Sequence, residues 1–584
     1  ELYPGIHQAY CNLGYAFLRL GTVEEALALY RKAAALSPDT HLYHSNILLT
    51  SHYSERLTPE EIHALHREWR TARAAALERS IEPHGNDRSP GRRLRIGYLS
   101  PDLSDHPVAS FFEPLLASHE RSGFEVFCYA DGRKRDWMTE RLENAADVWR
   151  ATVSKTDEEL CRIIREDRID ILVDLAGHTA NNRMMVFARK PAPVQATYLG
   201  YPNTTGLTVM DYRITDSLAD PPGKTEHLHS EELVRLPRGF LCYQPHRDAP
   251  DIGEQPSAKT GFVTFGSFNN RSKITTGMTR VWAEILGMVP GSRLFITFRF
   301  LSDPLARELL CGMLEKSGMP MDRVDISGGF LPKRDHLDQY NRVDISLDTF
   351  PYNGTTTTCE SLWMGVPVIS LRGETHVSRV GFSILTVAGL GELSAGTQEE
   401  YVEKAIELAC DHEKRERLRS GLRSLMSSSP LLDSRGFVSD FERQLRKMWA
   451  RWCGTGACGH GPVPVGVEKQ DDPCPMNPLS HGQDAQHGAP ERPEADGPTG
   501  ALIRRGEALF RAGDTGGALS VFEQAHAISP DDVHVLNDLG VVSWQAGNAG
   551  MAARCFSRAL ELDPGNEDAR FNLQEMESAG ERNE

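Results

Sequence analysis

Residues 343–371 constrain the fold of this chain more than any other stretch. Val343-Asp344-Ile345-Ser346-Leu347 is a short apolar run that reads as a buried parallel strand, and 366–371 is a second one. Between them lie Asp348-Thr349-Phe350-Pro351-Tyr352-Asn353-Gly354, a polar loop, and a helical stretch that ends near Gly365. A strand, loop, helix and strand in that order close as a parallel crossover, so the segment belongs to an α/β sheet. The free N–H groups and positive dipole end of such a helix point out at the carboxyl edge of the sheet, where they can hold an anion. Thr355, Thr356, Thr357 and Thr358 add hydroxyl donors there without adding charge. One threonine is an ordinary N-cap. Four in a row behind Asn353-Gly354 exceed what a cap needs, and the loop reads as a phosphate or diphosphate site.

The surrounding sequence extends the pattern. Apolar runs at 94–99, 124–129, 169–175, 194–199 and 212–215 alternate with helical segments at 107–121, 136–146 and 157–167. A second set at 262–268, 293–298, 323–326, 343–347 and 366–371 follows a break near Pro256. The expectation is two Rossmann-like halves, 91–255 and 256–452, the second closed by an amphipathic helix at 437–452, with a ligand cleft between them. Residues 41–90 read as further helix, including 59–82. Residues 453–499, rich in Gly, Pro, Asp and His, read as a flexible linker. Cys453, Cys458, His460 and Cys474 within and beside it fit no paired zinc-ligand spacing.

Both ends carry a repeat. Leu502, Gly506, Phe510, Gly513, Ala518, Phe522, Ala525, Ile528 and Pro530 recur 34 positions on as Leu536, Gly540, Trp544, Gly547, Ala552, Phe556, Ala559, Leu562 and Pro564. The same columns occur near the start as Tyr10, Gly14, Leu18, Gly21, Ala26, Tyr30, Ala33, Leu36 and Pro38. That period and pattern resemble tetratricopeptide repeats, helical hairpins whose stacked grooves bind proteins. The expected all-α segments are 1–90 and 500–584, both too short in repeats to stand without neighbouring structure.

Composition excludes several classes. A formal net charge of −17 argues against nucleic acid as a partner, and no apolar run approaches the roughly 20 residues of a membrane helix. Eleven scattered cysteines, several in apolar patterns, suggest buried thiols and a cytoplasmic protein. The chain opens on Glu1 rather than Met, so a targeting segment is left open. No GxGxxG follows a strand and no GxxxxGK[ST] occurs, which weakens dinucleotide and P-loop readings. No Asp-x-Asp occurs either, so a metal-held diphosphate is not expected.

Lys273 is the leading catalytic candidate. It lies in Gly266-Ser267-Phe268-Asn269-Asn270-Arg271-Ser272-Lys273, just past a predicted strand, where an ammonium can neutralise a leaving diphosphate. Asn269 and Asn270 can bond phosphate or sugar oxygens, or cap the turn. His106, in Ser104-Asp105-His106-Pro107 behind the first strand, occupies the switch-point position of the front half, suited to substrate binding or proton handling. His178 leaves its strand at the cleft edge, whereas Asp170 enters at the far end and reads as structural. His336, behind Gly328-Gly329, could stack on a base.

With these residues in hand, the chain resembles the protein O-glycosyltransferases of the O-GlcNAc transferase and SPINDLY type. The resemblance is carried by Ile96-Gly97-Tyr98-Leu99-Ser100-Pro101-Asp102 with His106-Pro107, by Gly177-His178-Thr179-Ala180-Asn181-Asn182 and by Pro191-Ala192-Pro193-Val194-Gln195. It continues through Leu199-Gly200-Tyr201-Pro202-Asn203-Thr204-Thr205-Gly206, Asp211-Tyr212-Arg213-Ile214-Thr215-Asp216, Phe268-Asn269-Asn270 with Lys273, and the threonine loop. It covers about residues 92–452.

The resemblance implies a GT-B, inverting, metal-independent transferase acting on Ser or Thr of proteins recruited by the repeats. Lys273 and His106 would be catalytic. Asn269, Asn270, Leu331, Lys333, His336, Gly354, Thr355, Thr356, Thr357 and Glu360 would form the nucleotide-sugar site. His178, Gly200, Tyr201 and Pro202 would line the sugar and acceptor cleft. Asn270 stands where animal O-GlcNAc transferases carry Gln, Thr355 where they carry His, and Asp170 where they carry another His. No cofactor is implied beyond the donor substrate, UDP-GlcNAc ahead of GDP-fucose. A repeat-based scaffold with an inactive transferase domain is the rival class.

Overall fold

The computed structural model describes residues 6–299, 301–329, 331–454 and most of 502–576. The chain forms two compact units, Glu1–Val463 and Pro464–Glu584. Of the expected linker, Cys453 and Gly454 instead end the last helix, and 455–499, with Cys458, His460 and Cys474, lies outside the described residues, as do the repeat positions Gly513, Gly547 and Pro564.

The first unit contains two all-parallel sheets. The front sheet is built from β1 (Leu94–Ser100), β2 (Phe124–Ala130), β3 (Val148–Ala151), β4 (Ile171–Asp174), β5 (Val194–Thr197), β6 (Tyr212–Asp216) and β7 (Glu232–Leu236). Their order in space is β3-β2-β1-β4-β5-β6-β7. The rear sheet is built from β8 (Thr264–Ser267), β9 (Arg293–Thr297), β10 (Val324–Ser327), β11 (Ile345–Leu347), β12 (Val368–Leu371) and β13 (Ser394–Ala395), in the order β10-β9-β8-β11-β12-β13. Both reverse direction of growth beside their first strand, between β1 and β4 and between β8 and β11, and each such point opens a crevice at the carboxyl edge. This is the two-Rossmann GT-B arrangement the sequence implies. The strands not anticipated, β3, β7 and β13, all lie at sheet edges; β3 and β7 are half-exposed, and β13 is only two residues long.

Local sequence explains the elements around the crevice. In the helix Asp157–Glu166, Thr156 and Glu159 form a reciprocal capping box, and the buried Leu160, Cys161 and Ile164 share one face. The threonine-rich helix runs Thr356–Trp363 and stops at Gly365, which adopts φ +75°. The last helix, Ser434–Gly454, crosses back to the front half: Phe441 meets Tyr198 edge-on at 5.3 Å, and Phe437, Leu445, Met448 and Trp449 join the same buried core as β1 and β5. One core therefore runs through both halves and holds the cleft between them.

The front helices do not form a separate body. The hairpin Ile6–Leu20 and Val23–Leu36 packs through Gly14, where an added Cβ would come within 2.9 Å of the Tyr30 ring. Its Gly21 turn abuts the Arg271 guanidinium, and Glu55 accepts the Gly277 N–H at 3.1 Å. In the second unit the helices Thr515–Ile528, Val533–Gln545 and Ala549–Leu562 repeat the front geometry: Gly506 faces Phe522 and Gly540 faces Phe556, in the columns of Gly14 and Tyr30. The small column exists because an aromatic ring occupies the space a side chain would need. No described helix is long and apolar enough to cross a membrane.

Gly365 yields a direct test. A Cβ there would lie 2.7 Å from the Arg419 carbonyl oxygen, on top of the left-handed backbone penalty. Gly365→Ala is expected to destabilise the first unit by about 2 kcal/mol or more, read as a lower midpoint in denaturant melting. An unchanged midpoint would show that the turn relaxes freely.

Candidate active site

A cleft of about 610 Å³ opens along the carboxyl edges of both sheets, within the range of nucleotide-sized pockets. Its rear wall comes from the loops after β8 and β11, the two strands that flank the rear crevice. Asn269, Asn270 and Lys273 come from the first loop, and Thr355, Thr356 and Thr357 from the second.

The threonine helix begins with donors unpaired within the helix. Its first internal bond runs from the Cys359 N–H to the Thr355 carbonyl at 3.1 Å. The N–H groups of Thr356, Thr357 and Thr358 thus have no partner within the helix. Thr355 makes no side-chain cap bond to them. Gly354 sits behind this surface rather than on it, donating its N–H to Asp348 Oδ1 at 2.7 Å. A Cβ on Gly354 would lie 2.5 Å from the Thr357 hydroxyl, so only glycine allows the loop to fold this closely. The Thr357 hydroxyl in turn donates to Asn269 Oδ1 at 3.1 Å, joining the two loops.

Lys273 faces the helix start. Its Nζ donates to the Asn353 carbonyl at 2.8 Å and sits 4.0 Å from the centre of the Tyr352 ring. Burial pushes the ammonium pKa down to about 8, while the Asp348 carboxylate pulls it up. The Tyr352 ring is stacked at 5.0 Å on Tyr53 from the front helices, which therefore reach the site through two aromatic rings. One cation and a row of uncharged amides, all converging on one edge, are what a diphosphate requires.

Further along the wall, Lys333 forms a tight ion pair with Glu360, and His336 Nε2 lies 3.6 Å from the other Glu360 oxygen. Burial would raise the Glu360 pKa, yet Lys333 and His336 hold it down at about 2. Leu331 keeps 42% of its surface exposed at this end of the cleft, an apolar face open to a flat ring. Opposite, the front half contributes His106, Gly200 and Pro202. His106 lies below its ordinary pKa because burial outweighs the nearby Asp102 carboxylate. Gly200 is obligatory, since a Cβ would lie 1.9 Å from the Leu175 carbonyl oxygen.

His178 and Tyr201 do not reach the cleft. Tyr201 points away from it, its hydroxyl bonded to His66 Nε2 at 2.7 Å and His52 Nε2 at 3.1 Å. His178 bonds the Thr205 carbonyl at 2.8 Å and Ser45 at 3.1 Å. Both are buried against the front helices, which cover that side of the sheet edge. Asp170 is structural as expected, paired with Arg92 and accepting the Arg95 N–H at 2.9 Å. The sequence reading missed the cleft residues His246, Arg299, Tyr352 and His376. Tyr352 could have been found, since it sits inside the threonine loop beside the residue that Lys273 contacts.

Comparison with known proteins places this geometry among relatives. A model of Glycosyl transferase family 41 matches residues 30–250 and 254–441, and tetratricopeptide-repeat models match 7–40 and 509–574. The probable UDP-N-acetylglucosamine–peptide N-acetylglucosaminyltransferase SPINDLY of Petunia hybrida is 44% identical over 422 residues, covering 72% of this chain and 45% of that protein. The similarly described SEC protein of Arabidopsis thaliana is 34% identical over 375 residues, covering 62% of this chain and 38% of that one. Among solved structures, an O-GlcNAc transferase mutant of Thermobaculum terrenum superposes with a TM-score of 0.73 at 40% identity, over 77% of this chain and 85% of that chain. The chain spans about half the length of the curated relatives it matches.

The Lys273 pKa sets a pH dependence. A bound diphosphate favours the charged ammonium, so affinity is full below pH 8 and falls as pH rises through about 8. Calorimetric titration of UDP at increasing pH is expected to show this loss, approaching tenfold per pH unit. Affinity constant from pH 7 to 9.5 would remove Lys273 from the binding surface.

Proposed function

The chain belongs to Glycosyl transferase family 41, and from that premise we propose that it is a protein O-glycosyltransferase, moving N-acetylglucosamine from UDP-GlcNAc to Ser or Thr of protein acceptors. The observation that carries the reading is Lys273 Nζ, fixed 2.8 Å from the Asn353 carbonyl at the lip of the threonine helix.

In this reading the base lies against Leu331 and His336, with Lys333 at its edge, and Glu360 accepts from the ribose hydroxyls. The diphosphate rests on the Thr355–Thr357 amides and hydroxyls with Lys273 opposite, and Asn269 and Asn270 bond its oxygens or the sugar. The sugar then faces the front half, where His106, Gly200 and Pro202 border it. An acceptor hydroxyl approaching from that side attacks C1 opposite the departing phosphate, which inverts the anomeric centre. As the C1–O bond breaks, negative charge grows on the phosphate, and Lys273 and the helix amides stabilise it without requiring a carboxylate-held metal. The helical repeats suit the recruitment of protein acceptors, and the buried thiols Cys128, Cys161 and Cys359 suit a reducing cytoplasm.

Mass spectrometry of an acceptor protein incubated with UDP- and GDP-sugars tests the reading. N-acetylglucosamine addition from UDP-GlcNAc is expected; fucose from GDP-fucose would reassign the donor, and no transfer from any donor would favour an inactive scaffold. Lys273→Ala should lower turnover by about 10²–10³-fold with the melting curve intact; wild-type-like turnover would remove it from the mechanism. Deleting 500–584 should weaken transfer to proteins while sparing donor hydrolysis, and equal loss of both would make the rear repeats structural.

A further inference from the structure

Transfer to a hydroxyl needs a destination for its proton, and the donor side of the cleft supplies a cation and hydrogen-bond donors. His106 is poorly arranged for the task. Its Nδ1 accepts the Val108 N–H at 3.3 Å, so the neutral ring carries its hydrogen on Nε2 and presents a donor. A second histidine lines the same cleft from the rear half. His376 opens the short turn His376–Ser378 beyond β12, and its Nδ1 lies 2.6 Å from Asp220 Oδ2. Asp220 comes from the other half, just beyond β6, and is fully buried. The Thr215 hydroxyl donates to the same oxygen, and His229 Nε2 stands 3.4 Å from the other. The Phe240 ring meets the imidazole edge-on at 5.0 Å and limits its rotation.

This arrangement fixes the tautomer. A carboxylate on Nδ1 keeps the hydrogen there and leaves Nε2 bare. Burial keeps the ring neutral at rest, with its pKa below the ordinary histidine value. Burial opposes the Asp220 charge, but His376 and His229 hold that carboxyl well below its usual range. The pair is a resting base with an anion behind it to stabilise the imidazolium.

We propose that His376, oriented by Asp220, is the general base that accepts the proton of the acceptor Ser or Thr hydroxyl. The proposal rests on the transferase reading above. As the acceptor Oγ–C1 bond forms, the C1–O bond to the β-phosphate breaks and its electron pair leaves with the nucleoside diphosphate; the Oγ proton passes to His376 Nε2. Asp220 acts through His376 and is a positioning residue.

The test uses the full chain with a peptide acceptor and the donor that the wild type uses. His376→Asn keeps an amide donor near the Nδ1 position while deleting Nε2. It is expected to lower peptide transfer by 10²–10⁴-fold with UDP affinity within about threefold of wild type. His376→Ala should fall similarly and recover in part with added imidazole. Asp220→Asn should lower kcat with little change in donor KM. Transfer by His376→Asn within about threefold of wild type would overturn the proposal, as would a parallel loss of UDP binding in both His376 variants, which would mark the residue as structural. If the wild type itself transfers no sugar, the transferase reading has failed, and this proposal falls with it.

Discussion

The buried carboxylate of Asp348 is the interaction on which the rear wall of the cleft depends. At the carboxyl end of β11, it accepts the N–H groups of Gly354 and Thr349 at 2.7 and 2.8 Å, the Ser370 hydroxyl at 2.8 Å and the Asn269 amide at 3.3 Å. Those partners come from β12, the loop after β8 and the threonine loop itself. One anion thereby ties three strand ends around the rear crevice, through bonds worth about 1.5–3 kcal/mol each when one partner is charged. Burial raises the Asp348 pKa, and these donors together with Lys273 counter the rise. The dependence is mutual, because the same charge helps Lys273 keep its proton in a site that desolvates it.

The two halves are fastened to one another as firmly as the loops within the rear half. The Ser383 hydroxyl donates to Asp216 Oδ2 at 2.6 Å, and Arg379 Nε donates to the Leu218 carbonyl at 2.8 Å. Both contacts join the turn beyond β12 and the helix Val380–Val387 that follows it to the end of β6 and the loop after it, alongside the His376–Asp220 pair. With the helix Ser434–Gly454 packed across the front sheet, the cleft is a built crevice between fixed walls. Preorganisation of this kind fixes the amide dipoles at the helix start in place, so they need no reorientation to meet an anion.

Much of this was legible in the sequence, for a physical reason. Lys273 and the threonine loop each follow directly on a strand, and in a parallel sheet everything that follows a strand arrives at one edge. The alternation of apolar runs and helical segments gave the two sheets, and the repeat columns gave the hairpins. The illegible parts depend on what covers an edge or faces it from afar. His178 and Tyr201 also follow strands, but the front helices bury them, and nothing in their own sequence reports that cover. His376 and Asp220 lie 156 positions apart, in separate halves, each within an unremarkable loop. Only the docking of the two sheets makes them a pair.

The central claim is that a nucleoside diphosphate seats against the threonine helix with Lys273 opposite. A crystal structure of the chain bound to UDP tests it most directly. The account predicts the β-phosphate within hydrogen-bond distance of the Thr356 and Thr357 amides and of Lys273 Nζ, with the base beside Leu331 and His336. A diphosphate bound elsewhere in the cleft, out of reach of that ammonium, would contradict it.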